Sequence, residues 1–290
     1  MKPHYHKVPK KLENSFSLRK DVSANFETTW HYHPELELHY IKKGEGLRFI
    51  GDNISNFYSD EMLLLGENLP HTWKSHDAYL HPQSILEVET TVMHFLPNCL
   101  GPEFLSLPEA YQLTQLIKKA KNGLLIYGDT KWKLLALLEA AYQAENLQRI
   151  SLFISILSTL AETNEYEPIT SSHAFYQSNQ LETDRLNQVY TYTLKNYMNK
   201  ISLAEIASLS CLSITSFCRY FKMMTNKTYT DFLSEIRISY ACKFLIENKQ
   251  LTIESISTET GFNNASNFFR QFKKTVGLTP KAYRKKYMTG

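Results

Sequence analysis

Four residues early in the chain have the types and spacing of metal ligands. They are His31, His33 and Glu37, in the run His31-x-His33-x3-Glu37, and His71 further on. In a strand, positions 31, 33 and 37 fall on one side. His71, from a neighbouring strand, would complete a set of three imidazoles and one carboxylate. Such a set with open positions suits Fe, Mn, Ni or Zn, so a divalent transition metal is a candidate cofactor. The plainer alternative is a ligand pocket whose polar wall includes these histidines. On either reading Trp30, His39, Arg48 and Trp73 are candidates for contact with a bound small molecule, although Trp73 equally suits a core or rim aromatic. Glu35 and Glu37 disfavour a strongly anionic ligand unless a metal or Arg48 compensates. No general base stands out beyond the candidate ligands, so an enzyme is not expected. Cys99 alone does not supply the reactive cysteine cluster that a methyl-acceptor protein would need.

A second group of residues points to nucleic acid. Phe217 and Phe221 are four apart, as are Phe268 and Phe272, which makes each pair the core stripe of a helix. Thr215, Ser216 and Arg219 fall on the other side of the first helix, and Ala265, Ser266 and Arg270 take similar places in the second. An arginine aimed from a helix into the major groove bonds guanine bidentately, and small hydroxyls and methyls contact other base edges. Lys222, Lys273 and Lys274 sit near the helix ends, where phosphate contacts are expected.

The elements that must position these side chains follow from composition and period. The chain has 290 residues, 43% hydrophobic and 21% charged, which suits about two globular domains and excludes disorder throughout. No stretch is apolar enough for a membrane span, and no apolar segment follows the basic start, so a cytoplasmic protein is expected. Cys99, Cys211, Cys218 and Cys242 are too scattered for a disulfide framework or a zinc finger. The net charge of +3 hides an asymmetry. From Asp184 onward 16 Lys and Arg face 7 Asp and Glu, a charge of +9, whereas the first 183 residues carry 16 against 22, or −6. A basic third on an acidic body suggests a polyanion partner for that third alone.

Residues 26–95 read as short strands, with Phe26 to Tyr40 alternating and His31, His33, Glu35, Glu37 and His39 sharing one parity. Residues 108–121 and 131–162 read as helices, the latter as one bent helix or two. Residues 164–183 are polar and lack periodicity, which marks a linker, and everything from Asp184 on reads helical. Within that last part lies a repeat. Ser202-Leu203-Ala204-Glu205-Ile206-Ala207 is matched 50 residues later by Thr252-Ile253-Glu254-Ser255-Ile256-Ser257, and after the turn the offset becomes 51. Ser202 and Thr252 are expected helix caps. The turn holds Cys211 in one unit and Gly261 in the other, and glycine is the easier residue at positive φ. Between the units, residues 231–245 read as one long helix.

These motifs resemble the AraC/XylS family of regulators over the last hundred or so residues. The resemblance is carried by Ser213-Ile214-Thr215-Ser216-Phe217-Cys218-Arg219-Tyr220-Phe221-Lys222, by Arg237-Ile238-Ser239-Tyr240-Ala241, by Ile256 to Phe262, and by Ser266 to Lys273 with Gly277-Leu278-Thr279-Pro280. It implies seven helices, two recognition helices in successive major grooves, and control of transcription initiation with RNA polymerase as a partner. Base readout would fall to Thr215, Cys218 and Arg219, then Ala265, Ser266 and Arg270. Cys218 departs from the polar side chains usual there and is expected to be a half-buried thiol. Residues 20–95 resemble the cupin superfamily, through the histidine–glutamate spacing, Gly44, and Gly66-x3-Pro70-His71. Asn25 replaces that motif's leading glycine, and no Asn follows His71 at the usual distance.

The expected architecture is α+β. A cupin-like β-barrel with following helices spans residues 1–163 as sensor and dimerisation domain. Residues 164–183 are the linker, and residues 184–290 form an all-α domain with two helix-turn-helix units joined by a long helix. The expected function is a DNA-binding transcriptional regulator, an activator or a repressor, controlled by a small-molecule effector (a sugar is one class) and working as a homodimer on double-stranded DNA.

Overall fold

Alternation along three neighbouring strands decides which side chains meet in the N-terminal unit. The computed structural model describes residues 4–5, 8, 14–26, 29–81, 83–101, 103–170, 180–225, 227–248 and 250–288. These fall into two units, the first built on residues up to 170 except Ile54–Asn56, and the second on residues from 180. The first contains strands β1 (His4–Tyr5), β2 (Phe16–Ser23), β3 (His31–Tyr32), β4 (Leu36–Lys43), β5 (Gly46–Ile50), β6 (Asn53–Phe57), β7 (Glu61–Leu65) and β8 (His71–Ser75). A short helix α1 (Asp77–Leu80) precedes β9 (Val88–Phe95). Then come α2 (Tyr111–Ala120), β10 (Leu124–Ile126), α3 (Gly128–Gln143), α4 (Asn146–Glu162) and β11 (Tyr166–Pro168). One sheet has the order β1-β3-β8-β5-β6 and the other β11-β10-β7-β4-β9-β2.

On β4, β7 and β9 one face carries Leu36, Leu38, Met62, Leu64, Met93 and Phe95, which pack with Leu113, Leu134, Leu138 and Phe153 of the helices. The opposite face carries Ile41, Leu63 and Leu65, which cluster with Ile50, Phe57 and Trp73 of the other sheet. Side chains alternate with period two, so Glu37, His39 and His94 must share the face of Ile41. Burying each leucine is worth roughly 1.5–3 kcal/mol. A slip of one residue would turn the leucines and the polar set to the wrong sides together, so the apolar residues fix the register of the polar ones.

One alternative is settled and two expectations change. Residues 131–162 form two helices, separated where Ala144 is extended and Asn146 has φ +52°. The linker expected over 164–183 is partly regular. Tyr166–Pro168 is β11, which pairs with β10 through Leu125↔Glu167 and extends the sheet edge, and α5 begins at Gln180. Three residues are too few to show a period. Residues 171–179 of that linker lie outside the described residues. The shared parity of 31–39 also fails at Glu35, because the chain bends at residues 34–35 between β3 and β4.

The second unit is helical: α5 (Gln180–Asn196), α6 (Leu203–Leu209), α7 (Ile214–Thr225), α8 (Tyr229–Glu247), α9 (Ile253–Glu259), α10 (Ala265–Val276) and α11 (Pro280–Met288). The offsets read in the sequence recur, since α6 and α9 start 50 residues apart and α7 and α10 start 51 apart. Ser202 accepts from the Glu205 amide in a full capping box, and Thr252 accepts from the Ser255 amide. Helix α8, about 28 Å long at 1.5 Å per residue, is apolar on both sides. Phe232 meets Phe221 with ring centroids 5.3 Å apart. Ile238, Ala241 and Leu245 pack with Ile256, Phe268 and Phe272. Among the described residues no helix is long and apolar enough to cross a membrane.

Candidate functional site

The polar set inside the first unit is organised by two cross-strand pairs. His31 of β3 lies opposite His71 of β8, and Glu37 of β4 lies opposite His94 of β9. His33, in the bend between β3 and β4, stands between them, its ring centroid 5.1 Å from His71 and 4.9 Å from His94. Glu37 is the hub. Its Oε2 lies 2.9 Å from His33 Nε2, 2.9 Å from His94 Nε2 and 3.4 Å from His71 Nε2, and its Oε1 lies 2.6 Å from His39 Nδ1. His33, Glu37, His71 and His94 are each at most 3% exposed, so these interactions operate largely without water.

The electrostatics favour an anion at Glu37. Burial pushes the Glu37 carboxyl up, but His94, His71, His33 and His39 outweigh it and hold the group well below the usual carboxylate range. Burial, aided by His71, lowers His31 to about 2. Burial also lowers His94, against the pull of Glu37. Backbone carbonyls fix three rings by the outer nitrogen. His31 Nδ1 lies 2.8 Å from Thr29 O, His33 Nδ1 3.0 Å from Glu35 O, and His71 Nδ1 2.7 Å from Leu69 O. A neutral ring that donates from Nδ1 presents a lone pair at Nε2. With that tautomer the Nε2 atoms of His33 and His71 would meet the Glu37 oxygen as acceptor against acceptor, whereas a proton on His33 Nε2 makes its 2.9 Å contact a hydrogen bond; His71 Nε2 has no hydrogen-bond partner. A cation between them removes that mismatch. His31, His33 and His71 form one group of mutually close ligand atoms, and His33, Glu37 and His94 form another. The four residues expected from spacing are thus brought together, and the residues present fit a divalent metal.

His94 was missed. Its only signal in the sequence is an alternating stretch, and its place depends on pairing with a strand 57 residues away. Of the small-molecule candidates, Trp30 is buried. His39 lies 4.4 Å, centroid to centroid, from Trp73, which stacks on Phe26 at 5.9 Å. Trp73 Nε1 and His39 Nε2 are buried without a hydrogen-bond partner. Arg48, the β5 neighbour of Trp73, is buried and paired with Glu61.

In the second unit, Phe217, Phe221, Phe268 and Phe272 are fully buried, as their spacing required. Thr215, Ser216, Cys218, Arg219 and Lys222 on α7, and Ala265, Ser266, Arg270, Lys273 and Lys274 on α10, are all exposed. Cys218 is therefore not the half-buried thiol expected, because it follows the core residue Phe217 and points away from that stripe. Arg270 Nη2 donates to Asn267 Oδ1 at 2.9 Å, so Asn267 orients an expected base-reading side chain. Lys274 Nζ meets Asp231 at 3.1 Å. Both turns take the left-handed conformation, with φ +53° at Cys211 and +87° at Gly261. Arg237 on α8 donates from Nε to Tyr197 O at 2.7 Å and from Nη2 to Asn199 O at 2.8 Å, which ties the end of α5 to the long helix.

Comparison with known proteins bears on this second unit first. Residues 206–286 match a family described as a helix-turn-helix domain. Over 262 residues the chain is 25% identical to the uncharacterised HTH-type transcriptional regulator YdeC of Bacillus subtilis, covering 88% of this chain and 85% of that protein. It is 24% identical over 260 residues to the HTH-type transcriptional activator RhaS of Mannheimia succiniciproducens, covering 88% of each. A structure of ToxT from Vibrio cholerae aligns with 93% of this chain and 98% of its own, at 16% identity and a TM-score of 0.36.

Proposed function

We propose that this chain is a DNA-binding transcriptional regulator of the AraC kind, which reads one face of duplex DNA with α7 and α10 and is controlled through the N-terminal cup; the helix-turn-helix match and the two HTH-type regulators it resembles along most of its length support the reading. The observation that carries the first half is the repeated arrangement of a capped helix, a left-handed turn and a second helix. Each second helix buries two phenylalanines and exposes an arginine on its outer face. Arg219 and Arg270 are the base-reading anchors, with Thr215, Ser216, Cys218, Ala265 and Ser266 at neighbouring base edges. Lys222, Lys273 and Lys274 contact phosphates.

The cup is the sensor site. A divalent metal there would be held by His31, His33, Glu37 and His71, and would supply a Lewis-acidic centre for an incoming ligand. Trp30, His39, Arg48 and Trp73 would shape the space around a small-molecule effector. Binding that is tighter in one state than the other shifts how the reading helices meet DNA. A second copy would pair through α3 and α4, where Trp132 and Leu147 are exposed at 59% and 79%. RNA polymerase is the downstream partner.

Selection from a random-sequence duplex pool with the full-length protein tests the DNA half. A recovered motif with two half-sites about one helical turn apart, lost on Arg219→Ala or Arg270→Ala, is expected. Recovery of no enriched sequence would overturn it.

A further inference from the structure

His94 lies in the cup although no motif marks it. It stands opposite Glu37 across β4 and β9, and its Nε2 is 2.9 Å from the Glu37 Oε2 that His33 and His71 also approach, at 2.9 and 3.4 Å. Donors about 2.1 Å from one transition-metal ion stand roughly 3.0–3.4 Å apart, and His33, Glu37 and His94 form one group of mutually close ligand atoms, with His71 approaching the same Glu37 oxygen.

The other side of the His94 ring carries a second, independent observation. His94 Nδ1, Glu35 Oε2 and Ser17 Oγ are buried without hydrogen-bond partners. All three residues line one cavity of about 10 Å³, room for one water, closed in part by Val8, Phe95 and Leu96. If His94 Nε2 merely donates to Glu37, Nδ1 and Glu35 Oε2 are both acceptors, and only a donor between them, such as the one water the cavity can hold, satisfies the two. If Nε2 binds a metal, the ring proton sits on Nδ1 and needs the acceptor that Glu35 provides. A carboxylate behind a metal-bound imidazole is the usual way to fix such a ring. Glu35 would then hold two rings, His33 through its backbone carbonyl at 3.0 Å and His94 through its side chain.

We propose that His94 is a ligand of a divalent transition-metal ion held in the cup with Glu37, His33 and His71. Glu35, directly or through one water, and Ser17 fix its outer nitrogen. The assignment rests on the metal reading of the cup given above, puts His94 beside Glu37 in the place that reading gave to His31, and adds its support. Imidazoles with one carboxylate and no thiolate select Zn, Fe, Mn, Co or Ni over soft Cu(I).

The test uses full-length protein stripped by a chelator. Zn²⁺ is titrated against a chromophoric indicator, and Co²⁺ is added while its visible absorption bands are followed. Wild type is expected to take one Zn²⁺ per chain. His94→Gln is expected to weaken Zn²⁺ at least roughly tenfold and to change the Co²⁺ bands. Glu35→Gln, at the rim, is expected to weaken Zn²⁺ roughly tenfold with the Co²⁺ band positions largely kept, because the ligand atoms are unchanged. Circular dichroism checks the fold of each variant, and Glu35→Gln decides the matter if His94→Gln does not fold. Unchanged Zn²⁺ affinity in these variants overturns the role of His94. A wild type that takes up no Zn²⁺ overturns the metal centre itself, while DNA selection on the same sample reports separately on the regulator reading.

Discussion

A β-carbon on Gly261 would lie 2.6 Å from the carbonyl oxygen of Tyr197 and 2.9 Å from Arg237 Nε. Backbone, guanidinium and turn thus occupy one crowded point where the second helix-turn-helix unit meets the end of α5. Gly261 also has φ +87°, a conformation costly for other residues. Gly261→Ala is expected to destabilise the protein by roughly 1–3 kcal/mol, read as a lowered urea midpoint. Cys211 has φ +53° in the equivalent turn, so Cys211→Gly is expected to stabilise by roughly 1 kcal/mol. An unchanged midpoint for Gly261→Ala, or a lowered one for Cys211→Gly, would refute the account of strain.

Asn267 and Arg270 should act together on DNA. Arg270→Ala is expected to cost about 1–3 kcal/mol and to relax preference at one base. Asn267→Ala is expected to weaken binding less, with the same base losing preference, since it only orients the guanidinium. Lys222→Ala should weaken all sequences evenly and reduce the salt slope by about 1. Quantitative binding to the selected site and to single-base variants, across several salt concentrations, separates the two classes.

The cysteines offer a footprint without mutation. Cys211 and Cys218 are exposed, whereas burial pushes the Cys242 thiol up to about 12, against a hydrogen bond from Tyr283. At neutral pH the first two should label with a maleimide and Cys242 should resist until unfolding. Bound DNA should slow Cys218, on the outer face of α7. Peptide mapping by mass spectrometry reads each thiol, and labelling of Cys218 at full speed in the DNA complex would argue against α7 as a reader.

Arg48 and Glu61 form a pair in the interior of the first unit, with Arg48 only 8% exposed. Removing one partner strands the other charge, so Glu61→Ala is expected to cost about 3–5 kcal/mol. The double change Arg48→Met with Glu61→Leu is expected to recover most of that loss. Denaturant midpoints of both variants check it. A double variant no better than Glu61→Ala would show that the arginine contributes through something other than its charge.

Legibility differed between the units for a physical reason. The helix-turn-helix units rest on local signals: the caps Ser202 and Thr252, the paired phenylalanines, and a repeat visible by eye. His31, His33 and Glu37 are likewise near one another in sequence. His94 is not, since only the pairing of β9 with β4 brings it to Glu37. Strand β11 escaped because Tyr166–Pro168 is held by its partner β10 and not by any pattern of its own. Glu35 misled by parity because a bend, invisible in alternation, takes it out of the strand to a separate cavity.

The turn after α9 is one residue longer than the turn after α6, and the exposed residues of α7 and α10 share Arg219/Arg270 and Lys222/Lys273 but differ at the other exposed positions, such as Cys218 against Phe269. The duplicated readers are therefore not interchangeable. A single chain carrying two unlike readers in fixed order has a head and a tail on DNA. On the proposed reading its recognition sequence need not be a palindrome, and turning the same site around would exchange the grooves that α7 and α10 occupy. Orientation relative to a promoter is thus built into one polypeptide, before any second copy is added.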